Sequence, residues 1–185
     1  MLCPIQFLLV LASLFVAAAS TVDCIVHDLK EVTKTSSRLE CAVNAFHHCQ
    51  GGRLNGLTHN LKPLAHIYKL SVFIDDQLDS LIDDVQCSCD FSADDSEQVL
   101  FTVGAASEPI LQTLQAFKKK YCQFEESLGP GLTHRVIGGS LKRTRCLTLD
   151  MLRSIECRID PTYKEIVASA QSEMDAAFQR VLCIY

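Results

Sequence analysis

The sequence contains no tryptophan, and its 185 residues include only eight glycines and five prolines. Glycine and proline build tight turns and break helices, so their scarcity leaves the chain few places to reverse. No stretch shows the credible apolar–polar alternation of a strand. No Asn-x-Ser/Thr triplet occurs, so N-glycosylation is not expected. The G-x-S-x-G elbow of serine hydrolases and the H-E-x-x-H of zinc proteases are both missing, and no other catalytic constellation replaces them. Basic charge is not in excess: 17 Lys and Arg stand against 22 Asp and Glu, a net charge of −5. That balance is a poor one for nucleic-acid binding. Beyond the N-terminus no apolar run is long enough to span a membrane, and no hydrophobic tail suggests a GPI anchor.

What is present begins with "MLCPIQFLLVLASLFVAAAS", residues 1–20, which carry no charge. An apolar run from Leu8 closes on Ala17, Ala18, Ala19 and Ser20. This pattern predicts a secretory signal cleaved near Ser20 or Thr21, and the run falls short of the roughly 20 residues a bilayer requires. The remaining part, 21–185, suits one domain with a real core. Cys3 would leave with the signal. Cys24, Cys41, Cys49, Cys87, Cys89, Cys122, Cys146, Cys157 and Cys183 would stay. In an oxidising compartment they read as up to four disulfides and one spare thiol, with the pairing open.

The sparse turns cut the chain into five long blocks. Ile25, Leu29, Val32, Leu39, Val43 and Phe46 recur at helical spacing before "GG" at 51–52. Leu57, Leu61, Leu64, Tyr68, Ile74, Leu78, Leu81 and Val85 form a second stripe, with Pro63 read in or near the first turn. A third block runs from about Asp94 to Leu128, with Ser92 or Asp94 as its cap. Pro109 predicts a kink there or two shorter helices. A fourth block, about Leu132 to Glu156, is interrupted by "GG" at 138–139. Asp160 followed by Pro161 announces the fifth, which carries Met174, Ala177, Phe178, Val181, Leu182 and Tyr185 on one side. Together these predict an all-α, antiparallel, up-and-down bundle of about five helices, stapled by disulfides.

A metal site finds little support. In "HHC" at 47–49 adjacent histidines diverge by about 100° on a helix, and the cysteines of "CSC" at 87–89 are read as disulfide partners. No cofactor is implied. The acidic run Asp75, Asp76, Asp79, Asp83 and Asp84 and the basic Arg135, Lys142, Arg143, Arg145, Arg153 and Arg158 read as solvated faces that order neighbouring helices. Ser36 and Ser71 carry more information, because each stands where its stripe calls for an apolar residue. A buried hydroxyl requires a partner, or costs about 1–3 kcal/mol. Either each bonds the carbonyl four residues back, or both face a cavity and meet the polar head of an apolar ligand. In the second case Phe46, Tyr68, Phe117, Phe124 and Phe178 would supply part of the wall.

Four segments, taken in order, resemble a known family. They are "VHDLKEVTKTSSRLECAVNAF" followed by "GG", "SADDSEQVL" followed by Pro109, "LQAFKKKYCQFEESLGPGL", and the closing "EMDAAFQRVLCIY". Over nearly the whole predicted mature chain the pattern resembles the fungal hydrophobic surface-binding protein A and cell-wall galactomannoprotein family. The resemblance implies a secreted, non-enzymatic helical bundle that adsorbs to hydrophobic surfaces or holds a long-chain fatty acid between its helices. It also implies a cell-wall association or a secreted polyester hydrolase as partner. The chain departs from the family in its many cysteines and in lacking a Ser/Thr-rich tail. These departures leave a second reading, a cysteine-rich effector or adhesin that contacts a host protein through a fully packed core.

Overall fold

The computed structural model describes residues 4–47 and 55–185, with side chains described over 22–47 and 61–185. The chain forms α1 (Pro4–Ala45), α2 (Asn55–Cys87), α3 (Ala93–Leu128), α4 (Pro130–Thr133), a π-turn (His134–Gly138), α5 (Gly139–Arg158), a 3-10 turn (Pro161–Tyr163) and α6 (Lys164–Leu182). No strand occurs among the described residues, and the all-α bundle is as expected. The predicted leader, 1–20, has no described side chains. Gly51, Gly52, Leu57, His48 and Cys49 likewise lie outside the described side chains.

Consecutive long helices run antiparallel, but packing does not follow chain order. The contacts form a ring, α3–α1–α2–α5–α6, that closes from α6 back onto α3. α3 therefore docks on α1, and the two run parallel. Thr113 Oγ1 donates to the Ser36 carbonyl at 3.0 Å, and further along Lys120 Nζ donates to the Phe46 carbonyl at 2.8 Å. The Lys120 ammonium there satisfies a carbonyl that α1 leaves free at its end.

The core follows steps of three and four. Ile25, Leu29, Val32, Ser36, Leu39, Val43 and Phe46 are all buried on α1. On α2 the buried set is Leu64, Ile67, Ser71, Ile74, Asp75, Leu78, Leu81 and Val85 among the residues with described side chains. Tyr68, assigned to that stripe from sequence, is 51% exposed, and Leu61 is exposed as well. From Ser71 a step back of three reaches Tyr68 and a step of four reaches Ile67. Both are large and partly apolar, and packing selects Ile67, leaving the Tyr68 hydroxyl in water.

Expectations about breaks are corrected. Pro109 lies inside one α3 rather than between two shorter helices, and Pro63 lies inside α2 well past its first turn. The glycines 138–139 do not interrupt the fourth block; a π-turn carries α4 into α5 through them. The starts behave as read. Ser92 Oγ accepts from the Asp95 N–H at 3.2 Å, and Asp160 Oδ1 accepts from the Thr162 N–H at 2.9 Å.

The predicted disulfide staples do not form among the described residues. Cys41, Cys87, Cys89, Cys122, Cys146, Cys157 and Cys183 are free, exposed thiols, and Cys24 is exposed too. Each faces outward from the buried core, so the core does not bring these sulfurs together. Polar ties stand where staples were expected. Arg158 Nη2 donates to the Gln86 carbonyl at 2.8 Å, and the Phe91 N–H donates to the Arg158 carbonyl at 2.8 Å. At the other end Tyr185 is buried. Its hydroxyl donates to the Phe117 carbonyl at 2.8 Å, and its ring meets Tyr121 edge-on at 5.0 Å. Gly138 lets this happen: a Cβ there would stand 3.3 Å from that of Tyr185.

Candidate ligand cavity

Midway along the ring the core changes character. Large side chains give way to a layer of small hydroxyl residues: Ser36 from α1, Ser71 from α2, Thr113 from α3, and Ser140, Thr144 and Thr148 from α5. Leu39, Ile74, Leu78, Leu114, Leu141 and Phe178 are among the apolar residues around them. Small residues at positions built for large ones underfill the layer, and an apolar cavity of about 30 Å³ remains. A single water requires about 10–15 Å³, so the space is of the order of a few waters at most, and an acyl chain enters it only if the helices part.

The hydroxyls are not equivalent. Ser71 Oγ donates to the Ile67 carbonyl at 3.1 Å, the local back-bond available to any helical serine. Thr148 Oγ1 does the same to Thr144 O at 2.8 Å. Thr113 Oγ1 is shared between Ser36 O and Pro109 O. Ser36 is only 2% exposed, and it meets α3 through its carbonyl, which accepts from Thr113. Next to it on α1, Thr35 Oγ1 is buried without a partner among the described residues.

One flank is electrostatic. Thr144 Oγ1 donates to Asp75 Oδ1 at 2.6 Å, and Arg143 Nε lies 3.3 Å from Asp75 Oδ2. Arg143 also reaches Asp79 Oδ2 at 3.3 Å. Asp75, expected on a solvated face, is 3% exposed. Burial pushes its carboxyl above the usual carboxylate range, while Thr144 and Arg143 pull it back down.

Of the residues named from sequence, Ser36, Ser71, Phe117 and Phe178 line the cavity. Phe46 and Phe124 do not. They are fully buried, stacked with ring centroids 4.7 Å apart, and Phe124 meets Phe117 at 5.9 Å. They brace Phe117 from behind. Tyr68 lies outside, on a surface groove with Val72 and Arg135. Sequence reasoning missed Thr113, Ser140, Thr144 and Thr148. The signal that marked Ser36 and Ser71 was present for Thr144 and Thr148 too, since both continue the apolar stripe set by Ile137 and Leu141. Among the described residues no group of three or more histidine, cysteine or carboxylate side chains is placed to hold a metal ion. None of their helices is long and apolar enough to cross a membrane.

No family model matches the chain, and no curated protein sequence does. Solved structures do match it. Afmp4p in complex with palmitic acid superimposes with a TM-score of 0.77 at 18% identity, over 88% of this chain and 98% of that one. Ligand binding domain 1 of the Penicillium marneffei MP1 protein, complexed with arachidonic acids, gives 0.72 at 11% identity, over 89% and 97%. Ligand binding domain 2 of the same protein, complexed with multiple arachidonic acids, gives 0.71 at 10%, over 90% and 94%. At these identities the likeness establishes the fold: this chain has the helical-bundle architecture of those ligand-binding domains.

Proposed function

We propose that the protein is a secreted, non-enzymatic carrier that takes a long-chain fatty acid into the centre of its helical ring. The observation that carries this reading is the underfilled layer at the centre of the ring, where small residues such as Ser36 and Ser71 leave an apolar cavity. That layer receives the alkyl chain. The fold neighbours solved with palmitic and arachidonic acids support the same ligand class. The leader expected at 1–20 supports secretion.

The small cavity makes the site one that opens on loading. Helices held by side-chain packing and polar ties can separate further than helices stapled across. Stripped of lipid and titrated with palmitate, the protein is expected to bind saturably at micromolar concentration, as measured by calorimetry. An absence of saturable heat would overturn the reading. A second reading, adsorption to a hydrophobic surface, draws support from Leu61, Tyr68, Val72 and Phe73, apolar side chains exposed along α2. It predicts partitioning onto a hydrophobic solid even when the cavity is blocked.

A further inference from the structure

Three surface grooves run beside the ring, and they differ in charge and in what they adjoin. The groove over α2, the π-turn and α5 shares Ser140 with the cavity and carries Arg135 and Arg143, but Asp75 and Asp76 offset them, and Arg143 is committed to Asp75 and Asp79. The groove between α1 and α2, with Lys34, Arg38 and His66, shares no wall with the cavity. The groove between α3 and α6, of about 670 Å³, combines an excess of basic charge with a shared wall. Its floor is apolar: Leu111, Leu114, Ala177 and Val181. Leu114 is also a wall of the central cavity, so this side chain borders both spaces.

Its rim is basic. Lys118, Lys119 and Arg180 surround the apolar floor, with Glu173 as the carboxylate among them. The excess is positive on a chain whose net charge is −5. These cations are uncommitted. Neither lysine has an ion-pair partner among the described residues, and Arg180 uses only Nε, on the Ala176 carbonyl at 3.1 Å. Lys120 shows the contrast, since its ammonium is spent on the Phe46 carbonyl.

We infer that the α3–α6 groove is the entry and head-group site for the acyl ligand, with Lys118, Lys119 and Arg180 holding its carboxylate while the tail passes Leu114 into the cavity. This rests on the fatty-acid reading above. An anionic head and an apolar tail are the two chemistries that the groove offers side by side. Hydrogen bonds and charge together hold a carboxylate more firmly than either does alone, and the exposed rim raises the local concentration of anionic ligand.

The test compares palmitate with hexadecanol, a neutral ligand of the same chain length. The variant is the triple Lys118→Ala/Lys119→Ala/Arg180→Ala, with Lys118→Gln/Lys119→Gln as a milder second. All three positions are exposed, and thermal melts check that the fold is kept. The triple variant is expected to bind palmitate on the order of tenfold more weakly, with hexadecanol unchanged. Added salt is expected to weaken palmitate binding to the wild type and to affect the triple variant little. Equal palmitate affinity in wild type and variants, or equal weakening of both ligands, overturns this assignment and leaves the fatty-acid reading standing. Failure of the wild type to bind either ligand overturns both.

Discussion

Ser36 and Ser71 occupy matching positions on neighbouring helices, and both line the cavity. Ser71 Oγ donates to its own helix at the Ile67 carbonyl, whereas Ser36 meets α3 through its carbonyl, which accepts from Thr113. A large apolar side chain in place of Ser36 would fill the space that an alkyl chain enters. Ser36→Leu is therefore expected to lower palmitate affinity on the order of tenfold. Ser71→Ala, which adds no bulk, is expected to leave affinity nearly unchanged. Calorimetric titration of both proteins decides it, and equal affinities would show that the chain does not enter beside Ser36. The sequence showed that each serine was out of place but not what each would bond, because that depends on how the helices meet. Phe46, Phe117 and Phe124 teach the same lesson. Their burial was legible from spacing, but which ring faces the cavity and which two stand behind it is decided by how α1 and α3 meet.

At the scale of elements, α2 and α5 are joined along a polar line as well as an apolar one, through Thr144, Asp75, Arg143 and Asp79. Burial raises the Asp75 carboxyl above its ordinary value of 3.8. The folded chain therefore holds that proton more tightly than the unfolded chain does. Asp75 favours the fold most when protonated, and that contribution is lost as pH rises through the elevated folded value. The melting temperature of the wild type relative to Asp75→Asn is accordingly expected to rise as pH is lowered from neutrality toward 3.8. A difference that stays flat across that window, measured by thermal melts at several pH values, would show that Arg143 and Thr144 cancel the desolvation. Element boundaries were legible where a capping residue marks them, as at Ser92 and Asp160. They were misread at Pro63, Pro109 and the 138–139 glycines, because α2, α3 and the α4–α5 segment absorb these residues without ending.

For the whole molecule, the ring order could not be read from stripes, since each stripe reveals a buried face and not the helix that covers it. The ring closes where α6 meets α3, its most thinly packed seam. Tyr185 helps to hold that closure through the Phe117 carbonyl. Tyr185→Phe removes this hydrogen bond from a carbonyl already paired within α3, and the expected loss is about 0.5–1.5 kcal/mol in urea denaturation. The same variant is expected to speed hydrogen exchange in α6 before it does so in α1 or α2. Uniform acceleration across all helices would show that α6 does not open on its own.

Assembly order follows from the same ring. α1 packs on both α2 and α3, so the first long helix to be synthesised is the hub on which the next two condense. The ring stays an open arc until α6 arrives to span it. The last step of folding is thus a long-range docking, slow by the measure of sequence separation. A nascent chain holding all but its final helix would present the Leu114 and Phe117 side of α3 to the surroundings.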